Sequence, residues 1–106
     1  MTQYPLGVYY RTMKKDTKHR ALHRAKIIKG QLDGLEKKIN EDAYCMDIVT
    51  QSLAIQKSLA SLSKLMVAHH IETHIQHMLA SSDEKQKEKA VAELSQLYEL
   101  TNVRGK

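Results

Sequence analysis

From Cys45 to His77 the chain carries one helical pattern with no Gly and no Pro. Apolar or small residues recur at Ile48, Ser52, Ile55, Leu59, Leu62 and Met66, the three-to-four spacing of a packed helix face. Steps of four from Met66 carry the same row on to His70 and His74. The pattern predicts an unbroken helix from about 42–45 to 77–80, long for a globular protein. Upstream, Leu22, Ile28, Leu32, Leu35 and Ile39 form a stripe on another predicted helix, with Arg20, Arg24 and Lys38 opposite. Asp16 or Thr17 can accept from its free N–H groups as an N-cap, and the polar residues of 40–42 favour a turn at its end. Gly30 and Gly34 lie inside it, each costing about 1 kcal/mol against Ala. Their four-residue spacing predicts the close approach of another helix at both. Ser81-Ser82-Asp83 reads as a turn and N-cap cluster before a third helix over 83–100. Its packing face is expected at Val91, Leu94, Leu97 and Tyr98, and Lys85, Lys87 and Lys89 alternate with acids on a solvated face. Residues 1–15, with Pro5, Gly7 and three tyrosines, show no periodicity and read as a flexible arm. Residues 102–106 read as a tail. No strand pattern is present, so the expected fold is all-α, a three-helix protomer with a single helical domain at 16–101.

Composition narrows this picture. Of the 106 residues 42% are hydrophobic, with no Trp or Phe, so the core is built from Leu, Ile, Val, Ala and Met. Thin cores of this kind often complete their burial by self-association. No run of 18 apolar residues exists, which excludes a membrane span. The N-terminus lacks the apolar central segment of a signal peptide. A lone Cys cannot form an intrachain disulfide, and the expected compartment is a reducing cytoplasm. The net charge of +5 is uneven: residues 1–40 hold ten Lys/Arg against three acids, and the rest hold seven against nine. A positive field concentrated in the first helix and its leader points to a polyanionic partner, nucleic acid before membrane, and on charge alone a solvated helix face is an equal alternative.

The candidate chemistry lies at the two ends of the second helix. The 25 residues from Cys45 to His70 span roughly 37 Å at 1.5 Å per residue, so thiol and imidazole cannot meet within one helix. An antiparallel second copy would bring them together. His70 and His74 stand at i and i+4, neighbours on one face that can share a metal ion. The bland alternatives are a pair of surface histidines and a Cys acting as a small buried hydrophobe. One thiolate and two imidazoles favour Cu(I) or Zn(II), with Ni(II) or Co(II) if further donors join. Carboxylate-poor surroundings speak against Mg or Ca. A phosphate-binding Gly loop, a nucleophile elbow, a second Cys and zinc-finger spacing are all absent. A helical chain of this size leaves little room for a substrate cleft, so an enzyme using Cys45 is not expected.

Arg24, Ile28-Lys29-Gly30-Gln31, Tyr44-Cys45-Met46-Asp47-Ile48, Thr50-Gln51, and then His70 and His74 together form a pattern. Over residues 17–100 the chain resembles the copper- and nickel/cobalt-sensing repressors of the CsoR/RcnR family. The resemblance implies two protomers in an antiparallel four-helix bundle, with dimers pairing into a homotetramer. It implies a metal site made by Cys45 of one chain with His70 and His74 of another, and Tyr44 supporting the ligands from outside. It implies operator-DNA binding through basic side chains of the first helix. Arg24 is supported by the match, and Arg20, Lys26 and Lys29 are added from charge. Metal binding in the family releases DNA. The chain departs from the pattern in several places. His74 stands where many copper sensors carry a second Cys, and Met13 where the nickel/cobalt type has a His. Ile27 stands where the family often has Arg, and Ala90 where copper sensors often have a Glu supporting the ligands. Pro5 is internal, unlike the N-terminal Pro of the formaldehyde-sensing branch. The expected function is therefore a Cu(I)-responsive repressor. The alternatives are a nickel/cobalt-responsive repressor or, in another class, a metal storage or delivery protein without DNA binding. His19, His23, His69 and His77 are further imidazoles near enough in sequence to join a shell.

Overall fold

The computed structural model describes residues 13–103, and the N-terminal arm up to residue 12 and the tail from 104 lie outside them. Among the described residues the only regular structure is helical, with no strands: α1 (Lys15–Asn40), α2 (Cys45–His70), a π-helical turn (Ile71–Ile75), α3 (Gln76–Ala80) and α4 (Glu84–Val103). None of these helices is long and apolar enough to cross a membrane. The chain divides into two compact units, one of Met13–Met66 and one from Val67 onward.

In the first unit α1 starts two or three residues earlier than the capping residues suggested. Lys14 occupies the N-cap position without a side-chain hydrogen bond. Asp16 instead sits in the first turn, where its charge favours the helix dipole. The far end closes as a Schellman motif: Ala43 N–H reaches the Lys38 carbonyl at 2.9 Å and Asp42 N–H the Ile39 carbonyl at 3.1 Å. Asp42 takes the left-handed conformation, φ 55°, that this closure needs. The chain then returns as α2, antiparallel to α1. Gln51 Nε2 donates to the Gln31 carbonyl at 2.9 Å, and Arg24 Nη1 donates to the Ser61 carbonyl at 3.1 Å.

Ile28 and Ile55 are the buried apolar side chains of this hairpin. Ile48, Ser52, Leu62 and Met66 are half-buried, as the helical row predicts, whereas Leu59 is exposed. Two expectations for α1 change. Its packed row runs through Ala21, Arg24, Ile28, Gln31 and Leu35, so Arg24 shares the face of Ile28, and Leu22, Leu32 and Ile39 are exposed. The close approach foreseen at both glycines occurs at Gly34 alone. A Cβ there would stand 3.4 Å from Gln51 Nε2, whereas one on Gly30 would meet nothing within 4 Å.

The second unit packs Ile75, Met78 and fully buried Ala90 together, with Ile71 against them. Asp83 caps α4 as its position predicts. Its side chain accepts from Lys85 N–H at 3.0 Å, and its own N–H donates to Ser81 Oγ at 3.0 Å. The contact face of α4 is rotated from the one expected. Val91 and Tyr98 are 58% and 70% exposed, and the inward row is Gln86, Ala90, Glu93 and Leu97. The reason is steric: Ala90 is the small side chain that lets the two helices approach, and its position sets the register.

Candidate metal centre

The expected uninterrupted α-helix contains a π turn at the two histidines. Gln76 N–H bonds to the Ile71 carbonyl, five residues back, and the backbone stays helical on both sides. The Thr73 hydroxyl donates to the His69 carbonyl at 2.7 Å, a back-bond of the kind that perturbs the regular ladder. His70 ends α2 and His74 lies within the turn.

The two imidazoles face each other with ring centroids 4.8 Å apart and planes tilted by 46°. Their Nδ1 atoms are 2.9 Å apart. The other nitrogen of His70, Nε2, lies 2.7 Å from Glu93 Oε1. The Glu93 carboxylate can accept from His70 Nε2–H, and one of the two facing Nδ1 atoms donates to the other. The Thr73 hydroxyl lies 3.3 Å from the same His74 nitrogen. His69 is buried, stands edge-on to His74 at 6.3 Å between centroids, and has no hydrogen-bond partner at Nδ1 among the described residues. His77 is exposed in α3.

A metal ion fits this donor pair. Two imidazole nitrogens bound at about 2.0–2.1 Å in tetrahedral geometry stand roughly 3.3 Å apart, close to the 2.9 Å between the two Nδ1 atoms, and both rings would have to turn so that their lone pairs point at the ion and not at each other. A nitrogen that ligates must carry a lone pair and not the shared proton. A carboxylate holding the far nitrogen of a ligating His fixes its ring and raises its basicity. Among the described residues no three His, Cys, Asp or Glu side chains form a group that could hold a metal ion within one chain.

The other expected site residues lie in the first unit. Cys45 is the first residue of α2 and its thiol is free and exposed. Tyr44 precedes it, 72% exposed, and its carbonyl accepts from Asp47 N–H at 2.9 Å in the first turn. Arg24 is bonded to Ser61, Arg20 stands 4.0 Å from Asp16, and Lys26 and Lys29 are exposed on α1. His19 and His23 are exposed on the same helix.

Sequence reasoning missed Glu93 and Thr73. The surroundings of His70 are not carboxylate-free, because Glu93 lies one turn beyond Ala90 on the same inward row. The three-residue step from Ala90 to Glu93 was the available signal. For Thr73 it was a Thr four residues after His69 inside a helix.

Comparison with known proteins concerns the chain as a whole. The family described as metal-sensitive transcriptional repressor matches residues 17–100. The chain is 41% identical over 58 residues to the copper-sensing transcriptional repressor CsoR of Mycobacterium ulcerans, covering 55% of this chain and 50% of that protein. It is 30% identical over 82 residues to the CsoR of Bacillus subtilis, covering 76% of this chain and 77% of that one. A copper-sensing repressor of Mycobacterium tuberculosis, RicR, is 33% identical over 60 residues. The chain thus spans about half the length of its mycobacterial CsoR relative and about three quarters of the Bacillus one.

Proposed function

Because the chain belongs to the metal-sensitive transcriptional repressor family, we propose that it is a copper-responsive repressor that binds operator DNA in its apo form and releases it on taking up Cu(I). The observation that carries the reading is the His70–His74 pair, set face to face by the π turn and braced by Glu93. Copper sensing by relatives whose matched stretch includes much of this chain supports the choice of metal.

In this reading Cys45 of one protomer supplies a thiolate, and His70 and His74 of another supply two imidazole nitrogens. Tyr44 flanks the thiolate. Bound Cu(I) supplies a soft cation that joins the two chains through that donor set. Glu93 would hold a proton on His70 Nε2 and so leave Nδ1 to ligate. His74 would turn from its contact with His70 and ligate as a neutral imidazole, its one proton on the ring nitrogen that does not bind the metal. On the DNA side, Arg24, Arg20, Lys26 and Lys29 present positive charge to phosphates, in a reducing cytoplasm. The two events are negatively coupled, so DNA lowers metal affinity by the factor by which metal lowers DNA affinity.

The test is a gel shift on the upstream intergenic DNA at moderate salt with reduced protein. The apo chain is expected to shift the fragment, Cu(I) to abolish the shift, and Cys45→Ala to bind DNA but ignore Cu(I). A Cys45→Ala chain that still releases DNA on adding Cu(I) sinks the proposed site. A wild-type chain with no specific shift points to metal storage or delivery.

A further inference from the structure

We propose that Ser61 is a positioning residue for Arg24, holding the guanidinium so that its Nε/Nη2 edge is presented to a DNA phosphate. The proposal rests on the reading of α1 as the DNA-binding helix. Arg24 lies on the half-buried row of α1 that faces α2, one turn before Ile28. Its Nη1 donates to the Ser61 carbonyl at 3.1 Å and also to the Ser61 hydroxyl. Both bonds use the same nitrogen. A guanidinium has five N–H donors in a rigid fork, so the three on Nε and Nη2 remain for another acceptor. That remaining edge is the one that matches a phosphate with two parallel bonds.

Charge points the same way. Both Ser61 acceptors are neutral, so the contact orients Arg24 without cancelling its charge. Arg20, one turn earlier, stands 4.0 Å from the Asp16 carboxylate, while among the described residues Arg24 forms no ion pair. An arginine held in place before it meets its ligand loses less rotamer freedom on binding. Ser61 thereby connects the body of α2 to the candidate DNA contact on α1.

The experiment measures apo-protein affinity for the upstream intergenic fragment across a salt series. It compares the wild type with Ser61→Ala, Ser61→Thr, Arg24→Ala and the Ser61→Ala/Arg24→Ala double variant, each checked for helicity by circular dichroism. Ser61→Ala is expected to weaken binding by about three- to tenfold, with the slope of log K against log salt unchanged. Ser61→Thr keeps the hydroxyl and should bind like the wild type. Arg24→Ala should weaken binding and lower the slope by about 1. Removing Ser61 as well should then cost nothing more. Wild-type affinity in Ser61→Ala, or the same loss with and without Arg24, overturns the assignment while leaving the DNA reading intact. A wild-type chain that binds no DNA overturns both.

Discussion

Glu93 reaches His70 because the neighbouring position on its row is Ala90. A large side chain at 90 would fill the contact where Ile75 and Met78 pack, and α4 would stand further off. With Ala there, a carboxylate one turn later comes within 2.7 Å of His70 Nε2. The position where copper sensors often carry a supporting Glu is thus apolar in this chain, and a carboxylate one turn on contacts the imidazole. Glu93→Gln tests what that contact does. It should lower Cu(I) affinity by roughly 10–100-fold, the usual cost of losing such a support. Competition against a chromophoric Cu(I) chelator reads the change, with helicity unaltered. Unchanged affinity would mean that Glu93 does not orient the ligand. From the chain alone, His70 and His74 could be selected by their spacing. Glu93 could not, because a helical row becomes a contact only once a partner helix is in place.

At the scale of the elements, the second unit rests on a few local devices. Asp83 starts α4, Thr73 perturbs the ladder at His69, and Ile75, Met78 and Ala90 close the contact. Asp83→Ala should cost about 1 kcal/mol of stability through the lost cap. Ile75→Ala, which empties a site only 1% exposed, should cost about 2–5 kcal/mol. Urea denaturation followed by circular dichroism separates the two. A cost for Ile75→Ala no larger than for Asp83→Ala would show that the small core does not hold the unit together. Existence and type of the three main helices were readable from periodicity, and so was the Asp83 cap. The π turn was not, because its residues Ile71–Ile75 carry an ordinary helical composition. The contact face of α4 was misread for a related reason: Val91, Leu94 and Tyr98 are the more apolar residues, yet the small Ala90 decides the packing.

At the scale of the whole molecule, the exposed apolar side chains matter most. Leu32, Met46, Val49, Leu53 and Val91 are all exposed on a single chain. Scattered apolar residues are normal on a surface, but neighbouring ones on long helices are what self-association would cover. A mixing experiment connects this to the metal. Cys45→Ala and His70→Ala/His74→Ala chains each lack part of the donor set. Co-refolded in equal amounts they form mixed dimers for about half of the pairs, each with one intact site of two, so about a quarter of the wild-type Cu(I) sites should return if Cys45 and the histidines come from different chains. No recovery, with mixed oligomers verified by mass spectrometry, would rule out the shared site.

The sequence by itself determined the helical class, the candidate ligands Cys45, His70 and His74, and the positive first helix, because periodicity, residue type and charge are properties of the chain read in order. Only the tertiary structure decided how those groups are held. It set His70 and His74 face to face through a π turn, placed Glu93 behind His70 and bound Arg24 to Ser61. These contacts join residues on separate helices or depend on a local change of helical pitch. Both follow from which side chains fit against one another when the helices pack, and spacing along one helix does not record that fit.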